Sequence, residues 1–137
     1  MQKEIADLSA QNTWQLTKLP LNRKALKGRW VYKTKLNADG SVNKFKARWV
    51  AKGFLQKYSI DYTKTFSSTL KLTVLRILFA LAAYLGLECK QIDVKSAFPN
   101  APIKEEIYIE QPHGFTSDPV LVCKLNKALY GLKQSAR

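Results

Sequence analysis

Two stretches of alternating basic and apolar residues, Arg29 to Leu36 (RWVYKTKL) and Val42 to Ala51 (VNKFKARWVA), flank an Asp39-Gly40 turn signal. Successive side chains of a strand point to opposite faces, and Asp-Gly between two such runs closes a hairpin. On the second run Lys44, Lys46 and Arg48 share one face, while Phe45, Ala47 and Trp49 share the other. On the first, Trp30, Tyr32, Thr34 and Leu36 oppose Lys33 and Lys35. The expected hairpin has one apolar and one strongly cationic face. Lysines on an edge hairpin also serve to discourage aggregation. Like charges set across strands are destabilising, however, so phosphate binding is the preferred reading of this many cations.

The charge distribution reinforces that reading. Of 23 Lys and Arg residues in the chain, eleven fall between Arg23 and Lys57, where Asp39 is the one acid. The rest of the chain is only mildly positive, against a formal total of +13. A concentrated basic element beside a nearly balanced body points to a polyanion, with nucleic acid or nucleotide phosphate ahead of an anionic membrane surface. No apolar run is long enough for a membrane-spanning helix, and the polar start MQKEIADLSAQ is neither a secretory signal nor a typical transit peptide. Two cysteines, Cys89 and Cys123, fit a reducing compartment, each read as a small buried apolar residue. One histidine and two separated cysteines do not make a zinc site.

The length of 137 residues suits one domain with a real core. Residues 1–13 form a polar segment with a helical turn or two, and Trp14 to Leu16 a short extended piece ended by Leu19-Pro20. An irregular connector with Tyr58 and Tyr62 leads to an apolar helix from Leu72 to Leu87, capped near Thr69 or Thr73 and stopped at Gly86. Its apolar positions exceed a single stripe, which predicts a buried helix. Cys89 to Val94 and Ile107 to Glu110 read as strands, Pro102 to Glu106 as a helical turn, and Leu121 to Leu125 as a further strand. Asn126 onward reads as a turn or helix, and His113 as a solvent-exposed loop residue. A basic hairpin, a buried helix and short strands make an α+β fold.

Glu88 to Asn100 (ECKQIDVKSAFPN) carries the strongest chemical signal. Asp93 stands between β-branched residues at the end of an expected strand, where a carboxylate is costly unless compensated. Lys95-Ser96-Ala97-Phe98 follows, a turn able to aim backbone N–H groups at an anion. A carboxylate beside such a turn suits Mg²⁺ bridging protein and phosphate; alternatively, Asp93 only caps the turn that ends the strand.

At KFKARWVAKGF, IDYTKTFS, QIDVKSAF, EEIYIEQPHGF and KLNKALYGLKQSAR the chain resembles the reverse transcriptases of copia-type LTR retrotransposons, from Trp14 to Arg137. The blocks follow in order at family-like spacing, a far more specific signal than one short motif. The resemblance implies a reverse transcriptase domain over 14–137: the fingers and first part of the palm of a right-hand polymerase. Within it stand the hairpin at 29–51, the helix at 72–87, the first aspartate motif at 88–101 and the start of the next pocket motif at 126–137.

The same resemblance assigns roles. Asp93 matches the first catalytic metal ligand, and the backbone of Lys95, Ser96 and Ala97 would cradle the incoming triphosphate. Phe98 would lie under the sugar and exclude a 2′-hydroxyl, while Lys46 and Arg48 would close over the nucleotide phosphates. Tyr130, Gly131 and Gln134 would line the nucleotide pocket and template, and Lys33, Lys35 and Lys44 would bind nucleic acid. Implied partners are an RNA or DNA template–primer, dNTP, and the remaining palm, thumb and ribonuclease H parts of a polyprotein, with Mg²⁺ as cofactor and no membrane. Implied localisation is cytoplasmic, in a virus-like particle of the parent element, or nuclear.

Two Mg²⁺ ions need more than one carboxylate, and the family's Asp-Asp pair does not occur here, so the expected chain does not polymerise alone. Pro99-Asn100-Ala101 stands where Leu-Asn-Gly is usual, Ser68-Thr69 where Pro-Val is common, and Ala136 where Pro is common. Pro99 lacks an N–H and restricts Phe98. Beside an enzyme portion, two readings remain: a nucleic-acid-binding module without catalysis, and a transposon remnant without function.

Overall fold

Leu26 is where the two sheets of the molecule meet. The computed structural model describes residues 1–65, 67, 70–92, 94 and 97–136. One sheet is antiparallel with three strands in the order β1 (Trp14–Lys18), β5 (Leu121–Leu125) and β4 (Tyr108–Ile109). The other is the hairpin of β2 (Gly28–Leu36) and β3 (Val42–Ala51). The Leu26 N–H donates to the Tyr108 carbonyl at 2.7 Å, and the Glu110 N–H donates to Leu26 O at 2.9 Å. The segment entering the hairpin is thereby stitched to the edge of β4. The result is a small α+β fold with short antiparallel sheets and few helices.

The hairpin register matches the alternation in the sequence. Trp30 faces Trp49, Tyr32 faces Ala47 and Thr34 faces Phe45; on the other side Lys33 faces Lys46 and Lys35 faces Lys44. Gly40 takes φ +83° in the closing turn, and the Asp39 carboxylate accepts from the Ser41 N–H and hydroxyl. Burial changes along the hairpin. Its base is buried, with Trp49 inaccessible and Ala51 nearly so, whereas Tyr32, Leu36, Val42 and Phe45 near the tip are exposed. Half of the expected apolar face is therefore open to solvent.

The core joins Leu8 of α1 (Gln2–Ala10), Leu26, the hairpin base, Ile107 and Ile109, Cys123 and Leu125, and Leu129 and Leu132. α1 is longer than the turn or two expected; Asn12 ends it with φ +50°, and the buried Thr13 carbonyl accepts from Asn126 N–H at 2.9 Å. Burial pushes the Cys123 thiol up to about 12, so it behaves as a small apolar residue. Cys89, expected to be buried as well, is exposed.

Four further expectations are corrected. α2 (Leu72–Tyr84) is not buried: none of its residues is inaccessible, and Leu72, Ile77, Leu78, Phe79 and Leu81 are exposed. Its apolar positions surround more than one side, which calls for two covering layers, and none of them joins the core cluster. Its N-cap is Lys71, without a side-chain cap bond, rather than Thr73, and the expected Thr69 lies outside the described residues. Its end is as expected: Gly86 at φ +64° lets the Leu87 N–H reach Ala82 O at 2.8 Å and its own N–H reach Ala83 O.

Residues 88–92 hold no regular structure where a strand was expected, and Ile92 is 86% exposed. Alternation alone does not make a strand; a neighbouring backbone must complete the ladder. Pro102 to Glu106 is not helical either. Pro102 bridges Lys127, and the Ile103 N–H donates to Asn126 O at 3.2 Å, so long-range bonds hold this piece extended. The short helix falls instead at α3 (Ala97–Asn100). Residues 126–136 form turns and no helix. No helix among the described residues is long and apolar enough to cross a membrane.

Candidate nucleic-acid interface

The cationic face gathers its charges around Lys46. Lys46 sits between Lys35, Lys44 and Arg48, and its ammonium is held below the ordinary range, first by desolvation and then by these neighbours. Glu4 of α1 lies close to Lys46 and Arg48, and its carboxyl is pushed up because burial outweighs the attraction of the two cations. Among the described residues Glu4 is the one acid close to Lys46, and no ion pair engages the cations of β2 and β3. Lys33, Lys35 and Lys44 are exposed. Such a face attracts anions in general, phosphates among them.

At the hairpin base, Arg48 meets the first of two aromatic residues that come from separate motifs and touch each other. Its guanidinium lies 5.1 Å from the centroid of the Tyr130 ring, which in turn meets Phe98 edge-on at 4.8 Å. Phe98 is half-buried on α3, and the buried Pro99 follows it in the same turn. Proline is tolerated this early in a helix, since an N–H there has no intrahelical acceptor. Arg48, Phe98 and Tyr130 together present charge, an aromatic face and an aromatic edge in one place. That suits a ligand with both phosphate and a ring.

Tyr130 is fixed by its backbone. The Ala51 N–H donates to Tyr130 O at 2.8 Å. Gly131 adopts φ +90°, and a β-carbon there would lie 2.2 Å from Ala51 O. On the other side a β-carbon on Gly53 would lie 2.0 Å from Gly131 O. Glycine at both positions permits the contact between the 130–135 turns and the chain leaving β3.

Gln134 is buried and faces inward. It accepts from Gln56 Nε2 at 3.0 Å and donates to Asp61 O at 2.8 Å. Lys133, by contrast, is exposed, with Nζ 3.0 Å from the Tyr62 hydroxyl and 4.5 Å above that ring. Gln56 and Gly53 were not singled out in the sequence, and Tyr62 was named only as an aromatic of the connector. A glutamine in an irregular connector has no periodic context, and its partners lie more than seventy residues away.

Asp93, Lys95 and Ser96 lie outside the described residues, and Ala97 is exposed at the start of α3. Among the described residues no group of three or more His, Cys, Asp or Glu side chains stands ready for a metal ion. Asp93 and Glu88, the two carboxylates of the 88–100 stretch, are fewer donors than two hard cations require. The described residues do not fit a two-metal centre, and no metal-dependent step follows from them.

The charged hairpin is joined at its base to an aromatic cluster of Tyr130 and Phe98. Residues 11–137 match the model of the family described as Reverse transcriptase (RNA-dependent DNA polymerase), and the chain belongs to that family. All of the chain is similar to retrovirus-related Pol polyproteins: 47% identical to that from transposon TNT 1-94 of Nicotiana tabacum, and 41% to that from transposon RE1 of Arabidopsis thaliana. A truncated transposon Ty1-A Gag-Pol polyprotein of Saccharomyces cerevisiae is 34% identical over 97% of the chain and 11% of its own length. These relatives support assignment to the copia-type Pol polyproteins. The chain spans about 10% of the length of the two plant polyproteins. No solved structure matches it.

Proposed function

We propose that this chain forms the nucleotide-facing fingers and first palm portion of an RNA-directed DNA polymerase of the copia type. The observation that carries the reading is the Arg48–Tyr130–Phe98 contact, which unites three motifs that the resemblance assigns to one nucleotide pocket. In this reading Lys46 and Arg48 hold triphosphate oxygens, Phe98 lies beneath the sugar, and Tyr130 and Gly131 form the adjoining wall. The backbone of Lys95, Ser96 and Ala97 cradles the triphosphate, and Lys33, Lys35 and Lys44 hold template–primer phosphates. Gln134 acts from behind the wall, since both ends of its amide are engaged within the chain.

The family's general dependence on Mg²⁺ makes Asp93 a candidate ligand for that ion. Its partners in that role would be carboxylates from the remaining palm, with thumb and ribonuclease H parts of the polyprotein as further partners. The cytoplasmic virus-like particle, or the nucleus, is the corresponding compartment.

The test is binding of a fluorescent RNA–DNA template–primer across a salt series, with and without dNTP. Affinity should fall steeply with salt and collapse when Lys44, Lys46 and Arg48 become Glu. Added dNTP should strengthen the complex, and Asp93→Asn should leave binding without dNTP intact. Salt-insensitive binding, or indifference to the triple change, would sink the proposal. The cross-strand Lys33–Lys46 and Lys35–Lys44 pairs favour a second reading, a binding module without a nucleotide site. Salt-dependent binding that dNTP does not strengthen would select it.

A further inference from the structure

We propose that Gln56 is a positioning residue for Tyr130, holding the turn behind that ring so that it stays beneath Arg48 and against Phe98. The geometry stands by itself; only its consequence for ligand binding rests on the nucleotide-pocket reading.

Gln56 is 5% exposed and uses both ends of its amide on one turn of chain. Its Oε1 accepts from the Lys133 N–H at 2.8 Å, and its Nε2 donates to Gln134 Oε1 at 3.0 Å. Gln134 passes the link on through Nε2 to Asp61 O at 2.8 Å. Two buried amides with their partners supplied form a rigid strap, because leaving either group unmatched is costly. Ahead of Gly131, the turn is held by the Ala51 N–H to Tyr130 O bond. Behind it, Gln56 supplies the bond to the Lys133 backbone. The other backbone bonds there, Leu132 N–H to Leu129 O and Ser135 N–H to Leu132 O, are local and 3.3 Å long, while the side chains of Lys133 and Gln134 reach Tyr62 and Asp61 of the same connector. The Ser135 hydroxyl, bonded to Leu129 O, is local as well.

Gly131 at φ +90° is the swivel between the two anchors. A glycine has little conformational preference of its own, so the anchors on either side decide where Tyr130 points. Gln56 itself is set by its N–H, which donates to Gly53 O at 3.1 Å, next to the close approach of Gly53 to Gly131. The connector after β3 thus reads out on an aromatic ring that it does not touch through Gln56.

A fluorine label on the Tyr130 ring, followed by ¹⁹F NMR in the full chain, tests this directly. In Gln56→Ala the Tyr130 signal should move toward the free amino-acid position, while tryptophan emission from Trp14, Trp30 and Trp49 together reports an intact core. An unmoved Tyr130 signal with an intact core would overturn the proposal. Should Gln56→Ala lose the core, Gln56→Glu decides. As an acid that side chain donates to Gln134 Oε1; as a carboxylate it sets oxygen against oxygen. The Tyr130 signal should then gain a titration in the carboxyl range that the parent lacks, and its absence would refute the strap.

Titrating dNTP separates the two ideas. No saturable response in the parent defeats the pocket reading and leaves the strap standing on its NMR result. A saturable response that Gln56→Ala weakens about tenfold, with hairpin-dependent polyanion binding retained, supports both. A response that Gln56→Ala leaves unchanged overturns the positioning role.

Discussion

Gly131 and Ala51 approach so closely that a β-carbon on Gly131 would stand 2.2 Å from the Ala51 carbonyl oxygen. The left-handed backbone at φ +90° adds a second obstacle to any side chain there. Gly131→Ala should therefore destabilise the chain by roughly 2 kcal/mol or more, from backbone strain plus the clash. Urea unfolding followed by tryptophan fluorescence measures this; an unchanged midpoint would mean the turn relaxes freely.

Lys46 supplies a pH prediction. Its ammonium is held below the ordinary value of 10.5 by desolvation, then by Arg48, Lys35 and Lys44. In the window between the folded and ordinary values the unfolded chain binds more protons, so this group's contribution to stability rises with pH there. A bound polyanion sets opposite charge beside the ammonium and raises the Lys46 value, so binding at alkaline pH should take up protons. Calorimetric titration in two buffers of different ionisation enthalpy should reveal the uptake, and Lys46→Met should reduce it.

Gly28 and Trp49 form a tight pair at the hairpin base, where a β-carbon on Gly28 would lie 2.1 Å from the indole. Gly28→Ala should cost about 1–3 kcal/mol by overpacking, and Trp49→Ala about 3–5 kcal/mol by cavity formation. The Trp49 Nε1 has no hydrogen-bond partner among the described residues, so Trp49→Phe loses volume but no polar contact seen there. Gly28→Ala should then cost less in a Trp49→Phe background than alone, a non-additivity that a double-mutant cycle in urea resolves.

α2 should be insensitive to truncation. Ile77 and Leu78 are 62% and 49% exposed. Each change to Ala should alter stability by about 0.5 kcal/mol or less, against about 2–5 kcal/mol for a buried position. The exposed apolar surface should instead promote association, and Ile77→Glu with Leu78→Glu should suppress it in sedimentation velocity.

The hairpin was legible because every clue agreed: period-two alternation, Asp-Gly at the turn, and like charges falling on one face. β4 and β5 were legible for the same reason, as short β-branched runs between turn residues. α2 was legible as a helix and misread as buried, since periodicity reports which side is apolar but not whether anything covers it. The piece after Pro102 was misread because its geometry is set by Asn126 and Lys127, which no local window contains. At the candidate site, Arg48, Phe98 and Tyr130 could each be named from their motifs. Their mutual contact, and the part played by Gln56, depend on the fold.

The two ends of the hairpin differ in more than burial. Its base is clamped by Trp49 and Ala51, while nine residues of β2 extend away from it, a reach of about 30 Å at strand spacing. A rod held at one end is a lever: a tilt of about 10° at Trp49 would sweep the tip through about 5 Å over that length. Arg48 sits near the fulcrum and would barely shift, whereas Lys35 and Lys44 ride far out on the arm. Contacts made at the pivot are therefore fixed in place, and contacts made at the tip can follow a strand of varying shape.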